Sequence, residues 1–323
     1  MPLCQIAIST KHLKRSHWWY RRALGFLAAG EHRHIEEPGA ACVPDLPECW
    51  LDVWWLVGRD SLCQLELMEF QRPGMRSIPD DWRPSDLGYS TIGLHVEDFD
   101  EALARIARLS GRLLSAPIGG RGQRRVCLRD PDGVLLELME DDLIPAADRP
   151  TGLRSVPTAL RFVTLSVPDL DVARRFWVEA LGLQEADVPL HEQAHETLWG
   201  LGGACRRSTL VLQAGGVFVE LAEYSEPAYR ARPAGYLLSD QGILNVAFGS
   251  QDRATFDRMC ARIRRSGFRA NSSPWTVESV ATVVYLTDGH GFSVELLHVE
   301  PTALEAMGFT PAAPVASVVG TQS

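Results

Sequence analysis

The stretch LRDPDGVLLELMED, residues 128–141, decides the fold of this chain. It opens on a turn, Asp130-Pro131-Asp132-Gly133. It then runs on as a strand, Val134 to Met139, because turn-forming residues bound a short apolar run. Glu137 sits inside that run, a carboxylate where the pattern predicts burial. The segment LTDGHGFSVELLHV (286–299) repeats the arrangement with Glu295 in the matching place. Upstream, STKHLKRSHWWYRRALGF (9–26) matches SVPDLDVARRFWVEALGL (166–183), each reading as a strand end, a helix and a helix-stopping glycine. Glu137 and Glu295 are 158 positions apart (295 − 137), and Leu24 and Leu181 are 157 apart (181 − 24). So constant an offset marks a duplication.

Each copy divides again. In the first, strands are predicted at Cys4–Ser9, Leu51–Val57 and Leu62–Phe70, with a helix near Leu13–Leu24. A second strand-helix start follows in YSTIGLHVEDFDEALARIARLSGR (89–112), with Asp98 as N-cap, Glu101 three residues on, and an apolar stripe of Phe99, Leu103, Ile106 and Leu109. In the second copy Ser250 is the expected cap of a helix bearing Phe256, Met259 and Ile263. The unit is β-α-β-β-β, four times over, an α+β chain. We assign residues 1–142 to one domain, 143–158 to a linker, 159–300 to a second domain and 301–323 to a loosely packed tail.

The chain has 323 residues, 46% of them hydrophobic, and a net charge of −9. An acidic surface argues against nucleic acid, because phosphate binding requires a basic face. No apolar run approaches membrane-spanning length, and the N-terminus has no signal-peptide pattern. Seven cysteines, odd in number and without CxxC spacing, suggest reduced thiols and a cytoplasmic location. Of nine tryptophans, Trp18 and Trp177 are expected in helix-sheet cores. In DVWWLV, Trp54 and Trp55 point to opposite faces, so one can line a cavity. The 31–50 loop, with His32 and His34, reads as a candidate lid.

The modules, with DPDG before a strand carrying an inward glutamate, resemble the vicinal oxygen chelate superfamily of glyoxalase I, fosfomycin-resistance proteins, bleomycin-binding proteins and extradiol dioxygenases. The likeness spans about Cys4 to Glu300. It implies two tandem glyoxalase-like domains whose curved mixed sheets enclose a cavity, with metal ligands on the first and last strands of each module. Carried over, these positions are Gln5, Glu66, Thr91 and Glu137 in the first copy, where Thr91 replaces an expected histidine. In the second copy they are Phe162, Glu220, Asn245 and Glu295, and Phe162 has no donor atom. The two-histidine, one-glutamate set of the dioxygenases occurs in neither copy. By strand parity His95 shares a face with Thr91, roughly 6–7 Å along, and is a candidate ligand or base.

The expected site lies in the first copy, with Glu66 and Glu137 in one cavity. Two neighbouring carboxylates require a divalent metal held by Gln5, Glu66 and Glu137, a cation such as Arg124, or a shared proton. Glu137, Glu66 and His95 are the expected catalytic residues. Thr91, Trp54, Trp55, Met68, Met139 and Asn245 are the expected substrate contacts, with Glu220 and Glu295 as second-domain candidates. The function expected is a lyase, isomerase or epimerase of the glyoxalase type, acting on an apolar or aromatic oxygenated compound by proton transfer. The alternatives are a binding protein that sequesters a hydrophobic compound and an atypical ring-cleaving dioxygenase. One divalent metal in the first domain, or none, is expected as cofactor. The partner expected is a small molecule, with no nucleic acid and no membrane, and a homodimer is left open.

Overall fold

The structure is a computed structural model and describes residues 1–312 apart from 36–45, 47–48, 150–151, 154, 192–196, 202–204, 272 and 278–279. The first module is β1 (Leu3–Ser9), α1 (Leu13–Leu24), β2 (Leu27–Ile35), β3 (Trp50–Val57) and β4 (Gln64–Arg72). The second is β5 (Gly88–Val96), α2 (Phe99–Arg108), β6 (Arg125–Arg129) and β7 (Leu135–Met139), with isolated bridges at Leu113 and Ile118 where a further strand would run. The third is β8 (Thr158–Ser166), α3 (Leu170–Arg174, continued by a wider turn Arg175–Ala180), β9 (Gln184–Glu185), β10 (Arg206–Gln213) and β11 (Phe218–Glu226). The fourth is β12 (Gly242–Ser250), α4 (Arg253–Arg265), β13 (Trp275–Val277), β14 (Ala281–Thr287) and β15 (Ser293–Val299).

The modules assemble crosswise. One sheet has the order β13-β14-β15-β12-β1-β4-β3-β2 and the other β6-β7-β5-β8-β11-β10-β9. The first module therefore pairs with the fourth, and the second with the third. The seams are antiparallel, β1 with β12 and β5 with β8. Each module alone would expose the edge of its first strand, and joining two such edges satisfies both rows of backbone groups. The two sheets curve around separate concave faces, each built from both copies.

The turn motif ties the sheets together. Asp130 accepts the N–H groups of Asp132 and Val134, and the Tyr20 hydroxyl of α1 donates to it across to the other sheet (2.8 Å). Asp288 does the same with the N–H groups of His290 and Phe292 and the Trp177 indole. Between the modules of each copy the connecting segments exchange ion pairs, Arg76 with Asp240 and Arg230 with Asp86. Both pairs keep one offset, 154 (230 − 76 and 240 − 86).

Three local expectations are corrected. Asp98 caps α2 through the Glu101 N–H as expected, but α4 is capped by Asp252, not Ser250, because the Asp252 carboxylate reaches the N–H groups of Ala254 and Thr255. Trp18 is 49% exposed, whereas Trp19 is buried, since α1 turns Ser16, His17, Trp19, Tyr20, Ala23 and Leu24 inward. The tail is not loose at its start. Ala303 and Phe309 are buried against the concave face of the β1 sheet. Most of the 31–50 loop lies outside the described residues. Its described histidines face tryptophans, His32 against Trp55 and His34 against Trp50.

Candidate functional site

Crosswise pairing separates the two carboxylates expected together. Glu66 belongs to β4 and Glu137 to β7, which lie in different sheets. Glu66 instead shares a concave face with Glu295, and Glu137 shares one with Glu220.

On the β5 sheet, Glu137 and Glu220 are bridged by a residue the sequence reading did not select. His191 places Nε2 3.0 Å from Glu137 Oε2 and Nδ1 3.0 Å from Glu220 Oε1. Arg125 bonds Glu137 and Arg207 bonds Glu220, both at 3.0–3.1 Å. The Trp199 indole donates to Glu137 and the Thr164 hydroxyl to Glu220. Burial alone would raise both carboxyls, but His191 and the arginines overcome it and hold each at about 2. Burial would lower the His191 imidazole, but the two carboxylates push it up to about 9. His191 is thus an imidazolium standing between two carboxylates. Leu190, Leu198 and Trp199 from the same segment fill the concave face. Of the three expected ways of balancing the charge, a cation serves at Glu137, but it is Arg125 rather than Arg124. Strand parity turns Arg124 outward to Glu140 and Asp100.

Several expected residues fall on this sheet. Thr91 is buried on β5. Phe162 lies over Gly93, where an added Cβ would come within 2.0 Å of the ring, so the glycine makes room for the phenyl group. Met139 packs with Phe162. His95 sits beside Arg59, with Nδ1 2.7 Å from Nη2, and 3.7 Å from Asp142. Burial, with Arg59 and Arg161 nearby, pushes it down to about 4 against the pull of Asp142. His95 therefore has no place beside Glu66.

The β1 sheet carries the other pair. Gln5 and Ala7 on β1, Glu66 and Met68 on β4, Trp55 on β3, Asn245 and Ala247 on β12, Glu295 on β15 and Tyr285 on β14 follow one another in register on one face. Ala7 lies between Glu66 and Asn245, and Ala247 between Gln5 and Glu295, so small side chains leave the centre to the polar groups. The Trp55 indole donates to Glu66 Oε1 at 3.0 Å, and Gln5 also bonds Glu66. Tyr285 bonds Glu295, and the Asn245 amide lies 3.5 Å from Glu295 Oε2. Trp54 points to the opposite face, edge-on to His17, so Trp55 alone of the pair lines the site.

No lysine, arginine or histidine among the described residues bonds Glu66 or Glu295. Burial raises Glu66 to about 7; burial and the Glu66 charge raise Glu295 to about 8. Glu66 Oε2, Asn245 Oδ1 and Gln64 Oε1 are buried with no hydrogen-bond partner. Orphaned buried acceptors are costly, and here their residues share one face with the two carboxyls that lack a cationic partner. An all-oxygen donor set of this kind fits a hard divalent cation. A set of Gln5, Glu66 and Glu137 does not, because the third member is on the other sheet. Among the described residues no cluster of three or more His, Cys, Asp or Glu side chains is arranged around a metal position.

The C-terminal segment covers this face. The Gln64 amide donates to the Met307 carbonyl (3.3 Å), Gly308 lies against the Trp55 indole, and the Ala312 N–H bonds the Ala28 carbonyl. Beside it is an apolar cavity of about 220 Å³ lined by Cys4, Leu62, Leu297, Val299, Leu304 and Phe309.

Comparison with known proteins follows the same architecture. The family model for the Glyoxalase/Bleomycin resistance protein/Dioxygenase superfamily matches residues 3–138 and 159–296. The structure is similar to glyoxalase I from Zea mays, at 17% identity and a TM-score of 0.59 over 92% of either chain. It is also similar to a putative dioxygenase from Bacillus subtilis subsp. subtilis str. 168, at 14% identity and a TM-score of 0.63 over 98% of this chain and 92% of that one. No curated protein matches significantly. No helix among the described residues is long and apolar enough to cross a membrane. With its two tandem matches covering most of the sequence, the chain belongs to the Glyoxalase/Bleomycin resistance protein/Dioxygenase superfamily.

Proposed function

We propose that the protein is an enzyme of the lyase, isomerase or epimerase type, moving a proton next to a carbonyl at the Glu66–Glu295 pair. The observation that carries this reading is two buried carboxyls on one concave face with no cationic partner among the described residues. Environments that raise carboxyl pKa values toward neutrality suit general acid–base work. Glu66, the more acidic of the two, is the base. Its Oε1 is fixed by Trp55, and its unpartnered Oε2 receives the proton from the carbon. Glu295 holds a proton and donates it to the oxygen on which charge develops. The proton on Glu66 then returns to carbon while the hydroxyl formed on the substrate oxygen gives its proton back to Glu295, so the pair ends as it began. Asn245 orients the substrate oxygen, and Trp55, Met68 and Tyr285 line the same face beneath the C-terminal segment.

Gln5, Glu66, Asn245 and Glu295 would hold a divalent cation. Such an ion supplies Lewis-acid stabilisation of an oxyanion when bound. The substrate class is a small carbonyl compound with an apolar or aromatic body, in keeping with the apolar lining.

The test is exchange from D2O into carbon positions next to the carbonyl, followed by NMR over a panel of 2-hydroxy and 2-keto carbonyl compounds. Glu66→Gln and Glu295→Gln should each slow exchange at least ~100-fold. Exchange that persists in both variants overturns the reading. The alternative, sequestration of a hydrophobic compound, draws on the apolar 220 Å³ cavity beside the pair. It would appear as tight binding with no exchange in the unaltered protein.

A further inference from the structure

A further cavity lies away from both concave faces. It has a volume of about 410 Å³, within the usual range of small-molecule sites. The two connecting segments and the starts of β5 and β12 enclose it, with Ile78, Leu87, Tyr89, Val134, Tyr236 and Ile243 supplying apolar and aromatic walls. It shares no lining residue with the Glu66–Glu295 site.

The arginines around it are not equivalent. Arg76 and Arg230 are consumed by Asp240 and by Asp86 and Asp81. Arg232 forms no ion pair with any described residue. Its guanidinium carbon lies 4.4 Å from the Tyr236 ring centre and 4.5 Å from that of Phe292. Both contacts are aromatic, so its N–H groups keep their capacity to bond an anion.

The duplication provides an internal control. At the offset of 154 set by the crossed ion pairs, Arg232 corresponds to Ile78 (232 − 154), and Gly88 to Gly242 (242 − 154). Ile78 Cδ1 lies 3.7 Å from where a Cβ on Gly242 would be, and Arg232 Nε lies 3.5 Å from where one on Gly88 would be. The two positions do the same architectural job. One copy does it with an aliphatic side chain, so packing alone does not call for a guanidinium.

We propose that Arg232 anchors a small monocarboxylate with an aromatic or aliphatic body in this cavity. The carboxylate meets the N–H edge in the two-bond geometry that guanidinium favours, and the body fills the apolar walls.

The experiment is calorimetric titration with benzoate, phenylacetate and hexanoate, against benzamide as a neutral analogue of matched shape. At least one acid should bind saturably and benzamide should not. Arg232→Ile, which copies the other half of the molecule, should fold normally and weaken acid binding at least about tenfold. Ile78→Phe keeps the arginine, narrows the cavity and should also weaken binding. Should Arg232→Ile fail to fold, the Ile78→Phe result and the acid–amide difference still decide. Equal binding of acid and amide, binding unchanged in the variants, or no saturable binding of any of the three acids up to about 10 mM overturns the proposal.

Discussion

Replacing His191 by glutamine tests the electrostatics of the β5 sheet. In the folded protein the imidazole sits 3.0 Å from both Glu137 and Glu220, and it is held at about 9 against an ordinary 6.5. The rise (9 − 6.5 on the pH scale) corresponds to about 3 kcal/mol at about 1.4 kcal/mol per tenfold change in proton affinity. Removing one partner of a buried charge pair typically costs about 3–5 kcal/mol. Each carboxylate keeps an arginine after the substitution, so the lower end applies. The pH dependence has a definite sign. Because the folded pKa is raised, the His191 contribution is complete below 6.5 and is lost as the pH climbs through about 9. Glu137 and Glu220, held at about 2, contribute above their ordinary 4.5 and lose that contribution as the pH falls toward 2. The three act together at full strength between about pH 4.5 and 6.5. At pH 6, urea and thermal unfolding of His191→Gln should show a loss of about 3 kcal/mol and a thermal midpoint lower by about 4–6 °C. The gap should narrow above pH 9. A loss under about 1 kcal/mol, or a gap that does not vary between pH 6 and 10, refutes the bridging role.

The Glu66–Glu295 pair predicts the opposite sign. Its raised pKa values mean that charging the pair opposes folding, so stability falls as the pH rises from 4.5 through about 7 and 8. Glu295→Gln should therefore raise the melting temperature at pH 8.5 and leave it unchanged at pH 4.5. A lower value at pH 8.5 counts against the uncompensated pair. Adding manganese at pH 8 should stabilise the unaltered protein in scanning fluorimetry and leave a Glu66→Gln, Glu295→Gln double variant unmoved; equal shifts would remove the cation site. Gly93→Ala puts a Cβ into the Phe162 ring and should cost about 1–3 kcal/mol. Adding Phe162→Leu should recover part of that cost, and strict additivity in the double-mutant cycle would show that the two do not touch. Gly308 has φ +72 and lies against Trp55, so Gly308→Val should lift the C-terminal segment. Limited proteolysis within 301–312 should accelerate; an unchanged cleavage rate would mean the segment does not depend on that contact.

The sequence by itself determined the modules. Periodicity, capping and turn chemistry act over two to four residues, so the DPDG turn, the Asp98 cap and the inward glutamates were legible where they stand. It also pointed to carboxyls at positions 66, 137, 220 and 295 inside strands, where burial calls for a metal, a cation or a proton. Only the tertiary structure decided which met which. Pairing of β1 with β12 and of β5 with β8 joins edges far apart in the chain, and no local pattern distinguishes that from pairing within a copy. That choice sends Glu66 to Glu295 and Glu137 to Glu220. His191 lies in an irregular segment with no periodic signal. The one hint was the unmet need for a cation, and it pointed one residue away, to Arg124, because strand parity rather than proximity in sequence selects the side chain that faces inward.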